Sequence, residues 1–217
     1  MWGNSQIDPE ILLETKPYLT KQEVSLLLQK NGKNLDKKIS QLIKKGYLLP
    51  LKKGLYTTKA YMEKQIPLSR EYLANVQYYP SYLSLEYVLQ REGLIPETVY
   101  AYTSITLKPT QTFNNSLGSF IYRTIKNNLY MGYQSVRYNQ NYQIKIASKA
   151  KAIFDLLYLQ PLPSTARGKR QVIADLRINW QAVEVDDLAE FQTYVDMSSS
   201  PKMQQVASQI QKLYDNS

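Results

Sequence analysis

Leu19-Thr20-Lys21-Gln22-Glu23-Val24, and ten residues further on Asn34-Leu35-Asp36-Lys37-Lys38-Ile39-Ser40-Gln41-Leu42-Ile43-Lys44-Lys45-Gly46, set the architecture of the first quarter of the chain. Thr20 with Glu23 three residues later is a capping box, and Leu19 with Val24 completes a hydrophobic staple. A helix is therefore expected to start at Thr20, to bury Val24, Leu27 and Leu28, and to end at Asn31-Gly32. A second helix is expected over residues 34–45, because Leu35, Ile39, Leu42 and Ile43 fall on one helical face. Its other side carries Lys37, Lys38, Gln41, Lys44 and Lys45, and Gly46 is the stop.

Beyond Gly46 the apolar period changes. Residues 47–51 and 55–58 read as two strands, with Lys52-Lys53-Gly54 as the turn between them. Upstream, residues 8–14 read as a shorter helix with Pro9 at its first position. Helix, helix, basic amphipathic helix and a basic-tipped hairpin make a winged helix-turn-helix, expected over residues 1–64. In that arrangement the second helix of the pair enters a major groove and the wing reaches an adjacent backbone.

Charge points the same way. The chain has 217 residues and a net charge of +9, and residues 1–64 hold 12 Lys, no Arg and 6 acids. Between Lys16 and Lys59 there are 11 Lys against Glu23 and Asp36 alone. A solvated helix face usually interleaves Glu with Lys one turn apart, and this one does not. That concentration is the footprint of a phosphate binder. The candidate DNA contacts are Lys33, Asn34, Lys37, Lys38, Gln41, Lys44, Lys45, Lys52 and Lys53. The lysines suit phosphates. The Gln41 carboxamide suits the edge of adenine, and Asn34 is either a second base reader or the cap of its own helix.

Residues 65–217 read as an α+β domain with a small, mostly antiparallel sheet over about 98–147. Residues 69–77 and 81–91 read as helices. Residues 99–107, 117–125, 130–133 and 142–147 alternate as strands do, with turns at Asn114-Asn115 and at residues 139–141. Helices follow at about 148–159, capped by Ser148, at about 185–195, and at about 200–214, where Ser200 caps and Pro201 is the first residue. Thirteen of the 19 Tyr lie between residues 67 and 160. With Arg123, Lys126, Arg137 and Lys145 they admit a stacking platform for unpaired nucleic acid. The plainer reading is that Tyr suits half-buried strands. Arg167, Lys169 and Arg170 form a small basic cluster, read as solvated surface before a second DNA contact.

Several function classes are excluded or disfavoured. The chain has no Cys and no His, which removes disulfides, thiolate catalysis, the commonest general base and the commonest zinc ligands. No Walker A, dinucleotide-binding or nucleophile-elbow motif occurs. Glu184, Asp186 and Asp187 are more simply first-turn charges of a helix than Mg²⁺ ligands. An enzyme is not expected, nor a cofactor, a metal or a membrane partner. With no signal peptide or membrane span in the sequence, the expected location is cytoplasmic.

The winged-helix segments, Leu19 to Val24, Ile39-Ser40-Gln41-Leu42-Ile43-Lys44-Lys45-Gly46-Tyr47-Leu48 and Lys53-Gly54-Leu55-Tyr56, resemble those of AbiEi antitoxins, from AbiE abortive-infection, type IV toxin–antitoxin systems. Tyr82-Leu83-Ser84-Leu85-Glu86-Tyr87-Val88-Leu89 with Gly93-Leu94-Ile95-Pro96 looks like that family's entry into its C-terminal domain. Residues Ile146 to Tyr158 look like its closing helix. The family more often has Pro-Glu-Lys after the Ala-Ser pair, where this chain has Lys149-Ala150-Lys151. The resemblance implies a repressor of its own operon, bound to inverted repeats in operator DNA. It also implies an antitoxin that counters a cognate nucleotidyltransferase-like toxin without a stable complex. The alternatives from other classes are direct toxin binding, a general winged-helix regulator, and a single-strand or RNA binder.

Overall fold

The computed structural model of the chain describes residue 13 and residues 16–64, 66, 68–138 and 142–214. The helix expected over residues 8–14, Leu13 apart, and the turn expected at residues 139–141 lie outside the described residues. The fold is mixed α/β with two sheets. The chain divides into two units, Met1–Leu73 with Phe113–Gly118, and Ala74–Thr112 with Ser119–Ser217.

In the first unit a short strand β1 (Leu19–Thr20) leads into helix α1 (Lys21–Leu28). The capping box forms as the sequence predicts. Thr20 Oγ1 accepts the Glu23 amide at 3.2 Å, and Glu23 Oε2 accepts the Thr20 amide at 2.8 Å. The helix ends earlier than expected, because Gln29 takes a left-handed conformation (φ 51°) and folds its amide back on the Leu26 carbonyl. Asn31-Gly32 is thereby released to begin the next helix instead of ending the first. Helix α2 (Gly32–Lys44) has Asn31 at its cap, so Asn34 is an exposed residue of the first turn and not the cap.

The apolar stripe of α2 is the expected one. Leu35, Ile39 and Leu42 pack with Leu13, Leu19, Val24, Leu48 and Tyr56 in one core, and Leu27, Leu28 and Ile43 close its margin. Strands β2 (Leu48–Lys52) and β3 (Leu55–Thr58) pair antiparallel, and β1 adds to the far side of β3, giving the order β1-β3-β2. The turn between β2 and β3 needs Gly54 at φ +77°, and the Gly54 carbonyl accepts the first amide of α1 (Lys21) at 2.9 Å. That bond ties the hairpin tip to the start of the helix pair. A short helix α3 (Lys59–Glu63), capped by Thr58, follows.

Helix α4 (Ser69–Gln77) carries the chain into the second unit. The second sheet of the chain is larger than the small, mostly antiparallel one expected. Its strands are β4 (Ser81–Leu83), β5 (Ala101–Thr106), β6 (Gln111–Asn115), β7 (Gly118–Thr124), β8 (Tyr133–Arg137) and β9 (Gln143–Ala147), in the order β6-β7-β5-β4-β9-β8. Two neighbouring pairs, β5 with β7 and β4 with β9, are parallel. Residues 81–91 are thus not one helix. Ser81–Leu83 is a central strand buried at every residue, and α5 (Leu85–Arg91) starts after Ser84. Of residues 130–133 only Tyr133 is strand, as the first residue of β8, because a 3₁₀ turn over Asn127–Leu129 precedes them and Gly132 sits at φ +73°.

The closing helices agree with expectation. Helix α6 (Lys149–Leu159) starts at Ser148, whose hydroxyl accepts the Lys151 amide at 3.1 Å. An unexpected helix, α7 (Ala166–Asp175), is followed by α8 (Val185–Ser198) and α9 (Pro201–Tyr214). Glu184 and Asp187 form a reciprocal cap at the start of α8, which accounts for part of the acidic cluster. Among the described residues no helix is long and apolar enough to cross a membrane.

Candidate nucleic-acid interface

Burial of Leu35, Ile39 and Leu42 turns the rest of α2 outward. Lys33, Asn34, Lys37, Gln41, Lys44 and Lys45 are exposed and Lys38 is half-buried. The spacing of Lys33, Lys37, Gln41 and Lys44 lines them up along one side of the helix, over about 16 Å at 1.5 Å per residue. Lys53 is exposed at the β2–β3 turn, and Lys52 beside it is half-buried. The structure therefore gathers Lys33, Lys37, Gln41 and Lys44 on one stripe. Asn34, Lys38 and Lys45 sit beside it, and Lys52 and Lys53 occupy the hairpin tip.

The acids of this segment are occupied elsewhere. Glu23 pairs with Lys16 at 2.7 Å, Asp36 with Lys21 at 2.5 Å, and Glu63 with Lys59 at 3.5 Å. All three lysine partners lie outside the candidate set. Asp36, the single acid on α2, is thus matched by a cation from α1, and no ion pair of Lys33, Lys37, Lys44, Lys45 or Lys53 occurs among the described residues. The contact with Asp36 raises Lys21 above the ordinary lysine range. Burial pushes the Glu23 carboxyl up, but the Lys16 ammonium and the Thr20 amide and hydroxyl outweigh it and hold Glu23 below the usual carboxylate range.

The second basic cluster is not gathered. Lys169 is 4% exposed, and its ammonium donates to the Ser164 carbonyl at 2.6 Å. Arg170 donates to Gln209 Oε1 at 3.1 Å, and both it and Arg167 are exposed. Lys169 is accordingly not solvated surface. Helix α7 uses it to close the turn that precedes it.

Sequence reasoning also missed a polar centre inside the second unit. Lys151 and Asp155, one turn apart on α6, are both 0% exposed and meet at 2.5 Å. The other carboxylate oxygen accepts hydroxyls from Ser84 at 2.8 Å and Tyr82 at 3.0 Å. The rings of Phe154, Tyr194 and Tyr82 lie 4.7, 5.2 and 5.9 Å from the Lys151 ammonium. Burial pushes Asp155 up and Lys151 down, and their mutual contact opposes both shifts. A signal for this centre was present. Ala150 to Leu157 is apolar on every side apart from these two residues, and a helix apolar all round is a buried one. Charges placed there have to pair.

Many of the tyrosines serve the core. Tyr72, Tyr82, Tyr122 and Tyr138 are buried, whereas Tyr79 and Tyr100 are 64% and 86% exposed. Comparison with known proteins adds no assignment: no protein-family model matches the chain, and no curated protein matches it in sequence.

Proposed function

We propose that residues 16–64 are a winged helix-turn-helix that grips duplex DNA, and that the chain is a repressor of its own operon. In this reading α1 and α2 are the helix pair, α2 lies in the major groove, and β2–β3 is the wing. One observation carries it: the stripe Lys33-Lys37-Gln41-Lys44 is exposed, and the acid that shares its helix is paired with Lys21 instead. A rigid helix offering three ammonium groups and one carboxamide matches a line of phosphates with a base edge beside it. The Lys21 to Gly54 bond supports the reading, because it fixes Lys52 and Lys53 relative to the helix pair. The antitoxin half of the proposal, neutralising a nucleotidyltransferase-like toxin in a type IV system, rests on the resemblance of residues 19–24, 39–48, 53–56, 82–96 and 146–158 to AbiEi antitoxins.

The test is a mobility-shift titration of the full chain on duplex DNA from its own upstream region. Lys44→Glu should weaken binding to every duplex alike, by about tenfold. Gln41→Ala should instead flatten the preference for the operator over an unrelated duplex. Equal affinity of the wild type and Lys44→Glu would remove the grip. For the antitoxin half, co-expression should restore growth of cells making the neighbouring toxin, with no complex surviving purification. A stable complex would replace this mechanism with direct toxin binding.

A further inference from the structure

We propose that the second unit carries a separate surface for unpaired nucleic acid, on the outer face of β8 and β9, with Tyr79 as the stacking ring. Strand register defines the face. Ser135 is opposite Lys145, Arg137 opposite Gln143 and Tyr133 opposite Ala147, so these residues project to one side. The residues between them pair Val136 with Ile144 and Gln134 with Ile146, and both isoleucines are buried in the core. This side is covered at Ala147, which is buried, and opens toward the other end of the strand pair. Ser135, Arg137 and Gln143 are exposed, and Tyr133 and Lys145 are half-buried. Among the described residues strand β8 is the last of its sheet.

Tyr79, at the end of the turn after α4, completes the face. Its ring is 64% exposed, and the Lys145 ammonium lies 5.7 Å from its centroid and 5.2 Å from that of Tyr133. Tyr133 stacks in turn on buried Tyr82 at 4.9 Å, which anchors the series. The Lys145 amide donates to Asn75 Oδ1 at 2.5 Å, so the strand beneath the cation is fixed. Two cations, Lys145 and Arg137, share the face with an exposed ring. No acid occurs in residues 78–81, 133–137 or 143–147.

This combination selects the partner. An acidic polypeptide would satisfy the cations, but its carboxylates have no use for the exposed Tyr79 ring. A duplex hides the faces of its bases. Unpaired nucleic acid supplies phosphates and open π-faces together, and stacking on one aromatic side chain contributes without regard to sequence. The surface shares no residue with the α2 stripe.

The experiment titrates a short fluorescent oligothymidylate, followed by anisotropy, against the full chain carrying Lys37→Glu and Lys44→Glu, so that the α2 stripe does not contribute. Binding is expected to persist in that background. Adding Tyr79→Ala should weaken it about tenfold, whereas Tyr79→Phe, which keeps the ring, should leave it unchanged. Arg137→Glu should weaken it further. In the otherwise wild-type chain Tyr79→Ala should leave duplex binding untouched, so failure of this surface and failure of the α2 grip read out separately. Equal affinities for Tyr79→Ala and Tyr79→Phe would overturn the proposal. So would poly-glutamate competing as well as the oligonucleotide, because charge alone would then account for the binding.

Discussion

Helix α2 turns Lys33, Lys37 and Lys44 to the outside while its one acid, Asp36, pairs with Lys21, whereas helix α6 holds Lys151 at 0% exposure against Asp155 one turn away. The difference lies in the rest of each helix. On α2 a single stripe, Leu35, Ile39 and Leu42, is buried, so long side chains elsewhere remain in water at little cost. On α6 every residue from Ala150 to Leu157 is buried, so a cation there needs a carboxylate, hydroxyls and ring faces. A lysine count therefore says little about function until the remaining faces of its helix are known. The outward lysines stay in water, and the inward one is held by Asp155.

The largest effect expected from this contrast is on α6. Asp155→Ala leaves the Lys151 ammonium buried without its partner and should cost about 3–5 kcal/mol in urea unfolding. Replacing both residues by apolar ones of similar size should recover most of the loss. A cost near zero for Asp155→Ala would mean that water reaches the pair and that the two helices do not differ in kind. Next comes Gly132→Ala. Gly132 has φ +73°, and a Cβ there would collide with the Tyr194 hydroxyl and approach the Lys151 Cδ to 2.9 Å, so a loss of about 2 kcal/mol or more is expected.

The tyrosines sharpen the contrast through pH. Burial pushes the Tyr122 hydroxyl far above the phenol range, and burial with Asp155 does the same to Tyr82. In the unfolded chain they ionise near pH 10. The stability they add is therefore complete below about pH 10 and is lost as pH rises, on the order of 1 kcal/mol per pH unit for each. Absorbance titration should show these two ionising only as the second unit unfolds. The smallest effect is at the start of α1. Thr20→Ala removes the side-chain cap and should cost about 1 kcal/mol. Glu23, held below the usual carboxylate range, contributes stability that is present above about pH 4 and lost as pH falls through its native value, so the first unit should weaken in acid.

What was legible in the sequence was local. Thr20 with Glu23, the α2 stripe, the turn at Gly54 and the caps Ser148 and Ser200 each declare themselves within four residues. What was not legible depends on partners distant in sequence or on segments too short to show a period. Strand β4 is three residues long and pairs Leu83 with Ile146, so its central place could not be read from Ser81-Tyr82-Leu83. Strand β6 is an edge whose residues are mostly exposed, and Asn114-Asn115 reads as a turn there. Lys169 looks like surface because only the fold brings the Ser164 carbonyl to it. Of the candidate site, the exposed stripe followed from helical spacing, but the Lys21 to Asp36 pair that leaves it purely cationic joins two helices and did not.

The salt dependence of duplex binding bears most directly on the outward lysines as a phosphate grip. With four to six of them on phosphates, log K should fall against log salt with a slope of about −4 to −5. Each Lys→Glu change on the stripe should make that slope shallower by about one. A slope near zero, or one unaltered by Lys37→Glu and Lys44→Glu, would contradict the account.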